Sequence, residues 1–309
     1  MMSNILITGG AGFIGTALAK KLAKLKHNVS IIDIKDTLDD NENSSFEYYK
    51  VDVRDFRNFS VLEGQRFDFI FHLAAQTSGF ISQQEPELDV DTNVKGTLNV
   101  CNFARECGTK KIIFSSSMAA YGDVEGDISE TQPLNPISNY GVSKLAGEQY
   151  IKMFNQFHID STIFRLFNVY GPGQDMFNLS QGMASIFMAQ SISSNVIEVK
   201  GSFNRFRDFV YIDDVIEALI LGLSENTSGE TYNVGTGNAT TVKELIDCII
   251  SVGDKSKESI QVSNIGGHEG DQFGSVANSV KLQNLGWFPV TKLTKGMSDM
   301  YLFAKAVLK

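Results

Sequence analysis

The sequence predicts an α/β protein with a parallel, doubly wound sheet and a smaller C-terminal α/β domain. Short apolar strands alternate with helical segments from residue 4 to residue 167. A glycine-rich turn separates the first strand from the first helix, and an acidic residue ends the second strand. The 309 residues suffice for one large α/β unit or for two domains.

The first strand, residues 4–8, runs into the glycine-rich turn, and a helix is predicted from Thr16 to Leu25. Gly10, Gly12 and Gly15 match Gly-x-Gly-x-x-Gly, in which glycines permit a tight turn, close approach to a pyrophosphate and close helix packing. The alternative is a glycine turn without a ligand.

The second strand, Val29–Ile32, ends at Asp33. A carboxylate there can accept hydrogen bonds from both ribose hydroxyls and repels a 2′-phosphate, so the cofactor is expected to be NAD and not NADP. Lys35, two residues further on, counts against this preference.

After a polar loop at 36–45, a third strand at 46–51 is predicted to close at Asp52. Asp52 either meets an adenine amino group or is an ordinary turn residue at a strand end. The fourth strand, Phe69–Leu73, opens into small residues over which a cofactor can pass. Asn93 lies within a helix predicted from about Pro86 to Glu106, where asparagine is disfavoured, so it has either a tertiary role or a solvated position.

The fifth strand, Lys111–Phe114, ends in three serines at the edge where open α/β sheets bind ligands, although turn chemistry is the alternative explanation for any one of them. A helix from Tyr140 to about Phe157 and the strand Ser161–Phe167 come next. Tyr140 and Lys144 share one helix face, where an ammonium lowers a phenol pKa and makes the tyrosine a general base. A surface pair is the alternative.

Beyond residue 167 the regular alternation lapses. A row of Met183, Phe187 and Met188 is interpreted as core. Arg205 and Arg207 form a short basic patch, and a guanidinium suits a diphosphate; the alternative is a surface arginine, more strongly for Arg205. Helices are predicted at 180–192, 213–224, 241–252 and 294–308, and strands at 196–200, 209–212 and 231–234.

Composition excludes several classes of function. A net charge of −9 argues against nucleic acid as a partner, and the four histidines show no metal-ligand spacing, so we expect no metal. No apolar run reaches membrane-spanning length, and no secretory leader is expected, so we predict no membrane insertion. Three cysteines without paired spacing fit a cytoplasmic location.

Taken together, these motifs resemble the extended short-chain dehydrogenase/reductases, and within them the NAD-dependent nucleotide-sugar epimerases and dehydratases. The similarity covers essentially the whole length. The motifs that carry it are Thr8 to Gly15, His72-Leu73-Ala74-Ala75, Asn93-Val94-x-Gly96-Thr97, Ser115-Ser116-Ser117 with Tyr121-Gly122, Tyr140-x-x-x-Lys144, Arg165-x-Phe167-Asn168-Val169-Tyr170-Gly171-Pro172, Arg207-Asp208-Phe209-Val210 and Tyr232-Asn233-Val234-Gly235.

The resemblance implies that Tyr140 is the catalytic base, that Lys144 binds the nicotinamide ribose and lowers the Tyr140 pKa, and that Ser117 is the hydroxyl partner. It implies an NAD site formed by Gly9, Gly12, Phe13, Ile14, Gly15, Asp33, Asp52, Val53, Leu73, Ala74, Ala75, Asn93, Ser115, Tyr140, Lys144 and Phe167. It implies a substrate site formed by Ser117, Asn168, Lys200, Arg207, His268, Asp271 and Ser275.

The residues after Ser117 indicate the reaction. The 4,6-dehydratases of the family carry an acid and a base there, and the uronic-acid decarboxylases carry a glutamate. This chain has Met118-Ala119, which cannot move a proton. The pattern is most similar to UDP-hexose 4-epimerases, acting through a 4-keto intermediate. The alternatives are an NAD(P)H-dependent 4-ketoreductase, an epimerase of another nucleotide sugar, or a non-catalytic protein that senses dinucleotides.

Two further positions concern the substrate. His268 stands where the family typically has a phosphate-binding arginine, which leaves room for another nucleotide or sugar. Ser275 aligns with a position whose bulk limits the sugar, so a serine admits an N-acetyl group, although a plain loop serine is the alternative. The resemblance also implies a homodimer that pairs through the Asn93 and Tyr140 helices, and a role in carbohydrate metabolism and polysaccharide biosynthesis.

We expect residues 1–171 to form the NAD-binding Rossmann domain. Residues 172–309 are expected to form mainly the substrate-binding domain, with segments near 209–246 returning to the first domain.

Overall fold

The structure is a computed structural model that describes residues 2–36, 46–254, 259–266 and 273–308. It divides into two compact units. The first comprises residues 1–122, 133–165 and 216–232, and the second comprises residues 123–132, 166–215 and 233–309.

A seven-stranded sheet lies at the centre of the first unit, in the order β12-β7-β5-β4-β1-β2-β3. Its strands are β1 (Asn4–Thr8), β2 (Asn28–Asp33), β3 (Glu47–Lys50), β4 (Phe69–His72), β5 (Lys111–Ser117), β7 (Asp160–Leu166) and β12 (Glu230–Val234). The last residue of β7 and the last two of β12 fall in the second unit. The parallel, doubly wound sheet predicted from the sequence is confirmed.

The order of the strands places a topological switch point between β1 and β4. The chain lays down β2 and β3 on one side of β1, then returns to place β4 and β5 on the other, and all four pairings are parallel. In such sheets ligands bind at the carboxyl ends of the two strands where the order reverses. The glycine-rich turn after β1 and the loop after β4 therefore meet at the expected binding edge.

The first unit also contains helices, namely α1 (Phe13–Lys24), α2 (Gly79–Gln84), α3 (Pro86–Asp89), α4 (Gly96–Cys107), α5 (Asn139–Met153) and α7 (Ile212–Leu221), of which the first four residues of α7 lie in the second unit. Contacts join α1, α4 and α5 to strands of the sheet. Short 3₁₀ turns occupy Phe56–Leu62, Met118–Tyr121, Phe154–Phe157 and Glu225–Thr227. Apolar residues from β1, β4, β5 and α4 form the core on one side of the sheet, among them Leu6, Ile70, Ile112, Val100 and Phe103.

One predicted helix is interrupted. Where a continuous helix was expected from Pro86 to Glu106, the structure has α3, then a π-helical segment at Val90–Lys95, then α4. A π segment inserts one residue into the helical repeat and often marks a functional site. Asn93 lies in this segment, and its placement there could not be predicted from helix periodicity.

The second unit contains short paired strands and a group of helices. Its strands pair as β6 (Gly126–Ile128) with β15 (Ser275–Ala277), β8 (Asn168–Tyr170) with β11 (Phe209–Tyr211), β9 (Val196–Val199) with β14 (Gln261–Asn264), and β10 (Phe206–Arg207) with β13 (Thr240–Thr241). Its helices are α6 (Met183–Ser193), α8 (Val242–Val252), α9 (Val280–Gln283) and α10 (Leu293–Val307). Strands β6, β8, β10, β13, β14 and β15 were not predicted, because strands of two to four residues carry too little periodicity.

Helices α6, α8 and α10 pack together in this unit. Phe187 and Met188 of α6 are buried, which confirms their interpretation as core, whereas Met183 at the helix start is half-buried.

A buried ion pair ties α5 to β7 in the first unit. Arg165 donates to Glu148 through Nε (2.9 Å to Oε1) and Nη2 (2.7 Å to Oε2), and the two side chains are 3% and 0% exposed. The Tyr121 hydroxyl accepts from Arg165 Nη1 at 3.0 Å. Because both charges are desolvated, each depends on its partner.

Arg165→Met is expected to lower the free energy of unfolding by about 3–5 kcal/mol, because Glu148 is left as a buried, unpaired charge. Urea denaturation measures the loss. Lys110→Met is the control, since the Lys110 ammonium is 72% exposed in its pair with Asp68 and such pairs contribute little. Equal losses in the two variants would contradict the assignment.

Candidate active site

The glycine-rich turn is packed so tightly that side chains are excluded from it. Gly9 has a φ of +68°, and a Cβ there would lie 2.7 Å from the Ala74 backbone nitrogen. A Cβ on Gly15 would lie 2.2 Å from the Gly9 carbonyl oxygen. The turn after β1 and the loop after β4 therefore touch through their backbones at the switch point.

The start of α1 has the properties of an anion site. Its N-cap is Gly12, which supplies no side-chain hydrogen bond, and its first turn contains no acidic residue. The first backbone N–H groups of a helix lack partners within the helix, and the helix dipole favours an anion beside them. Phe13 and Ile14 lie half-buried in this turn. The residues present thus fit the pyrophosphate of a dinucleotide.

Asp33 is oriented by the turn that it faces. Its carboxylate accepts from the Ala11 N–H at 3.1 Å and from the Lys35 N–H at 3.2 Å. Lys35 Nζ donates to the Ala11 carbonyl at 2.7 Å, so this ammonium is engaged by the turn backbone. Asp33 is half-buried at the end of β2, as its predicted role on the adenosine ribose requires.

Asp52 has a partner that was not predicted. Both carboxylate oxygens accept from the Arg54 guanidinium, at 2.6 to 3.0 Å, and this pairing holds the Asp52 pKa below its usual value. Val53 is buried and packs against Gly96 at the start of α4. The carboxylate stays 31% exposed, so an adenine contact there remains a prediction.

His72 connects the two halves of the switch point. Its Nδ1 lies 2.7 Å from Thr8 Oγ1 and its Nε2 lies 2.9 Å from Thr97 Oγ1. Thr97 donates its one proton to the Asn93 carbonyl at 2.6 Å, so it must accept from His72 Nε2–H. His72 Nδ1 therefore accepts from the Thr8 hydroxyl, which itself accepts from the Ala74 N–H at 3.1 Å.

Burial lowers the pKa of His72 to about 3, and the Lys144 charge adds to this effect. The imidazole is accordingly neutral. From its place in β4 it bridges Thr8 of β1 and Thr97 of α4.

The Asn93 amide is used within the protein. Its Oδ1 accepts from the Gln76 N–H at 2.8 Å, and its Nδ2 donates to the Gln76 carbonyl, to Asp89 Oδ1 and to Ser143 Oγ at 2.9 to 3.2 Å. The side chain is 2% exposed. These bonds assign Asn93 the tertiary role that its sequence position suggested, which is to shape the loop after β4. Direct contact with NAD remains a prediction.

The three consecutive serines have different partners. Ser115 Oγ lies 3.4 Å from the His72 carbonyl, and Ser116 Oγ donates to Glu148 at 2.6 Å. Ser117 Oγ accepts from the Ala119 N–H at 3.2 Å and also hydrogen-bonds to the Tyr140 side chain. Only Ser117, the serine predicted to be catalytic, contacts the predicted base.

Hydrogen bonds at the start of helix α5 fix the backbone of Tyr140. Ser138 caps it by accepting from the Gly141 N–H at 3.1 Å, and the Tyr140 N–H donates to Ser82 Oγ at 3.2 Å. Lys144, one turn along, lies with its Nζ 4.4 Å from the centre of the Phe114 ring. The structure thus joins Ser117 to Tyr140 and places Lys144 one turn further along the same helix.

The pKa of Tyr140 differs from the predicted direction. Burial raises it to about 12, the Ser117 hydrogen bond opposes this, and the negative charge of Asp89 adds to it. Desolvation therefore outweighs the other interactions on Tyr140, and the expected lowering of its pKa by Lys144 stays a prediction. Burial also lowers the pKa of Lys144 to about 8, while the charges of Glu148 and Asp89 act in the opposite direction.

In the second unit, the buried Asp208 lies next to two of the predicted substrate ligands, Asn168 and Arg207. Its carboxylate accepts from the N–H groups of Thr236, Gly237 and Ala277 and from the Thr236 hydroxyl, at 2.6 to 3.0 Å. Its carbonyl accepts from the backbone and side chain of Asn168 at 3.0 and 3.2 Å. Asp208 is 0% exposed, and the sequence did not predict it as a site residue.

The two candidate arginines differ. Arg205 is 8% exposed and donates to the carbonyls of Ser202 and Lys200. Arg207 is half-buried, and its Nη1 donates to the Phe206 and Phe273 carbonyls at 2.7 and 3.3 Å. Because Arg205 is internal, Arg207 remains the better candidate for a phosphate, as predicted.

The other predicted ligands differ in burial. Phe167 is buried and its N–H donates to the Val234 carbonyl at 3.0 Å, whereas Lys200 is exposed. Ser275 in β15 is 0% exposed, and its hydroxyl has no hydrogen-bond partner among the described residues. His268 and Asp271 lie outside the described residues. Leu73, Ala74 and Ala75 are half-buried in the loop after β4.

Within the described ranges, no group of three metal-ligating side chains is found, and no helix is long and apolar enough to cross a membrane.

Fold and site together define a dinucleotide-dependent enzyme class, and comparisons with known proteins agree. Residues 5–235 match the model of the NAD dependent epimerase/dehydratase family, and the chain belongs to this family. It is 36% identical over 305 residues to a putative UDP-glucose 4-epimerase of Methanocaldococcus jannaschii, covering 97% of this chain and 98% of that protein.

Two solved structures are also similar. UDP-glucose 4-epimerase of Thermotoga maritima, determined with UDP-glucose, superimposes with a TM-score of 0.91 at 32% identity, over 99% of this chain and 100% of that one. UDP-glucose 4-epimerase of Thermus thermophilus, in complex with NAD, gives a TM-score of 0.89 at 29% identity, over 98% of this chain and 99% of that one.

Gly15→Ala is expected to abolish NAD retention and lower the melting temperature, because its Cβ would collide with the Gly9 carbonyl. Bound dinucleotide released by denaturation and thermal unfolding measure the two effects. Gly79→Ala is the control, since no atom lies within 4 Å of its Cβ position. Retained NAD in Gly15→Ala would contradict the assigned turn.

Proposed function

We propose that the protein is an NAD-dependent nucleotide-sugar 4-epimerase that interconverts UDP-glucose and UDP-galactose or their N-acetylated forms. The observation that carries the proposal is the hydrogen bond between Ser117 and Tyr140, with Lys144 one turn along the same helix, in the unit that bears the glycine-rich turn. The similar proteins named above support the UDP-hexose, and the family supports NAD. We further propose that the first unit is the NAD-binding domain and the second mainly the substrate-binding domain.

The chemistry is that of the clustered side chains. NAD, held by the glycine-rich turn and Asp33, would supply the hydride acceptor for oxidation at C4 of the hexose and the hydride donor for reduction of the 4-ketone. Tyr140 takes the proton of the 4-hydroxyl and later returns it, so neither protons nor electrons are consumed. Ser117 orients that hydroxyl, and the Lys144 ammonium stabilises the phenolate form of Tyr140.

Specificity for epimerisation is supported by the two residues after Ser117. Met118 and Ala119 form a 3₁₀ turn there, and neither side chain carries a proton that water elimination or decarboxylation chemistry would need. The 4-ketone is therefore left for rotation and reduction.

In the second unit we propose that Asn168 and Arg207 bind the diphosphate. Both are half-buried, and both are held through Asp208, since Arg207 directly precedes it and Asn168 donates to its carbonyl. Lys200, His268 and Asp271 remain proposed substrate ligands. The small Ser275 supports acceptance of an N-acetyl group. A firmly held nucleotide with a loosely held hexose permits the turnover of the ketone.

The test is a mass-spectrometric and chromatographic screen of the purified, NAD-loaded protein against UDP-, GDP-, CDP- and dTDP-hexoses. Epimer formation from UDP-glucose or UDP-N-acetylglucosamine without added nicotinamide is expected. Stoichiometric NAD(P)H consumption with a 4-keto sugar, and no epimer, would instead establish a reductase.

Tyr140→Phe is expected to lower kcat by at least about 100-fold while NAD stays bound, because the base is removed and the ring is kept. Tyr150→Phe on the same helix is the matched control and should keep wild-type turnover. Unchanged turnover in Tyr140→Phe would refute the role of Tyr140. A wild-type protein that binds NAD and turns over no substrate would instead fit a non-catalytic dinucleotide sensor.

We also propose a homodimer that pairs through α4 and α5. Helix α5 packs against both α4 and α2, and exposed apolar side chains lie on α5 (Val142 and Met153), on α2 (Phe80) and in the π segment that precedes α4 (Val90). Val142 and Val90 are 54% and 51% exposed, and exposed apolar side chains of this kind are typical of a protein interface.

We also propose a cytoplasmic location and a role in polysaccharide biosynthesis. The free thiols of Cys101, Cys107 and Cys248 support the location.

Val142→Asp is expected to shift the dimer towards monomer, since it places a charge in the apolar interface. Sedimentation velocity across a concentration series measures the change. Val61→Asp is the control, because Val61 is 51% exposed in the Phe56–Leu62 turn. A wild-type protein that sediments as a monomer would contradict the proposal.

A further inference from the structure

Asp89, the last residue of α3, is a fully buried acid outside the predicted site. Its Oδ1 accepts from Gln76 Nε2 at 2.8 Å and from Asn93 Nδ2 at 3.2 Å. Its Oδ2 is buried and has no hydrogen-bond partner within the described part of the chain. The residue is 0% exposed. A desolvated carboxylate with one oxygen unpaired requires either a proton or a compensating positive charge.

Among the described residues of the elements that pack against α3, the buried positive charge is the Lys144 ammonium on α5. Helix α3 packs against α2, the π segment and α5. Helix α2 contains no ionisable side chain, and on the π segment Asp91 and Lys95 are exposed and form an ion pair with each other. On α5, Tyr140 and Lys144 both interact with the charge of Asp89.

Lys144 has two further neighbours with titratable groups. Glu148, one turn along α5, also stabilises its charge, but both Glu148 oxygens are bonded to Arg165. His72 of β4 is neutral. Asp89 is thus the carboxylate near Lys144 that no described arginine or lysine neutralises by direct contact.

We propose that Asp89 is a positioning residue of the reaction, whose Oδ1 fixes Asn93 and Gln76 and whose Oδ2 supplies the buried negative charge that keeps the Lys144 ammonium protonated beside Tyr140. It does not touch the reacting atoms. Its kinetic consequence rests on the proposed epimerase function, whereas its effect on Lys144 does not.

The sign of the effect is set by the charges. A carboxylate favours the nearby ammonium and disfavours the nearby phenolate, so it raises the pKa of both Lys144 and Tyr140. Removing the charge lowers both. The ionised Tyr140 then persists to lower pH, and the Lys144 ammonium is lost at lower pH. Both limbs of the pH–rate profile should therefore move in the acid direction together.

Asp89→Asn tests the proposal, because the amide keeps an oxygen acceptor for Gln76 and Asn93 and removes the charge. The titration of Lys144 is followed by NMR of protein labelled with ¹³C at lysine Cε, with the resonance assigned by its loss in Lys144→Arg. We expect the midpoint to fall by about one pH unit. Glu87→Gln is the control, since Glu87 is an exposed acid on the same short helix and should leave the midpoint unchanged. An unchanged midpoint in Asp89→Asn would overturn the proposal.

The pH dependence of kcat/KM is measured with UDP-glucose on the same proteins. A shift of both limbs in Asp89→Asn, absent from Glu87→Gln, is expected. A role limited to holding Asn93 in place would change the height of the profile and not its position. A wild-type protein inactive on every nucleotide sugar would refute the proposed function, while the Lys144 titration would still decide the role of Asp89.

Should Asp89→Asn fail to fold, the wild-type protein decides the matter. The Asp89 carboxyl is followed by ¹³C NMR of protein labelled at aspartate Cγ, with the resonance assigned by its loss in Asp89→Glu. An ionised carboxylate at pH 7 supports the proposal. A carboxyl that stays protonated at that pH carries no charge to offer Lys144 and overturns it.

Discussion

The Lys144 ammonium is 3% exposed, and much of the first unit is arranged around the cost of burying it. An ammonium taken out of water favours its neutral form unless other groups supply compensating interactions. Here the Phe114 ring lies 4.4 Å from the charge, and the negative charges of Glu148 and Asp89 favour the protonated form. Glu148 is held in turn by Arg165, so the ammonium depends on a buried ion pair from β7. The catalytic helix is therefore anchored by electrostatics as well as by packing.

A second set of contacts fixes the cofactor edge relative to this helix. The directional chain from Ala74 through Thr8, His72 and Thr97 ends on the carbonyl of Asn93. The Asn93 amide continues the connection to Ser143 of α5. Each donor in the chain has one acceptor, which leaves no freedom in the tautomer of the histidine. These hydrogen bonds hold the turn after β1, the loop after β4 and the catalytic helix in one geometry. Catalysis needs such rigidity, because the reacting groups must be held within about 0.5 Å of their productive positions.

In the second unit, the buried side chain of Asp208 likewise holds several backbone segments in one geometry through hydrogen bonds. Asp208 is a carboxylate bound by three backbone N–H groups and one hydroxyl, so its four hydrogen bonds join β11, the loop after β12 and β15. Arg207 precedes it and Asn168 bonds to its carbonyl. A buried, saturated carboxylate is rigid, and it fixes the backbone positions from which these proposed phosphate ligands extend.

The sequence by itself determined the parallel sheet, the glycine-rich turn and the placement of Tyr140 and Lys144 one turn apart on one helix, because strand and helix periodicity and a four-residue helical spacing are local properties. Only the tertiary structure decided what each polar residue contacts. It showed that Ser116 binds Glu148 while Ser117 binds Tyr140, that burial raises the Tyr140 pKa, and that Asp89 is fully buried. These outcomes depend on desolvation and on partners distant in sequence, and neither is encoded in the spacing of neighbouring residues.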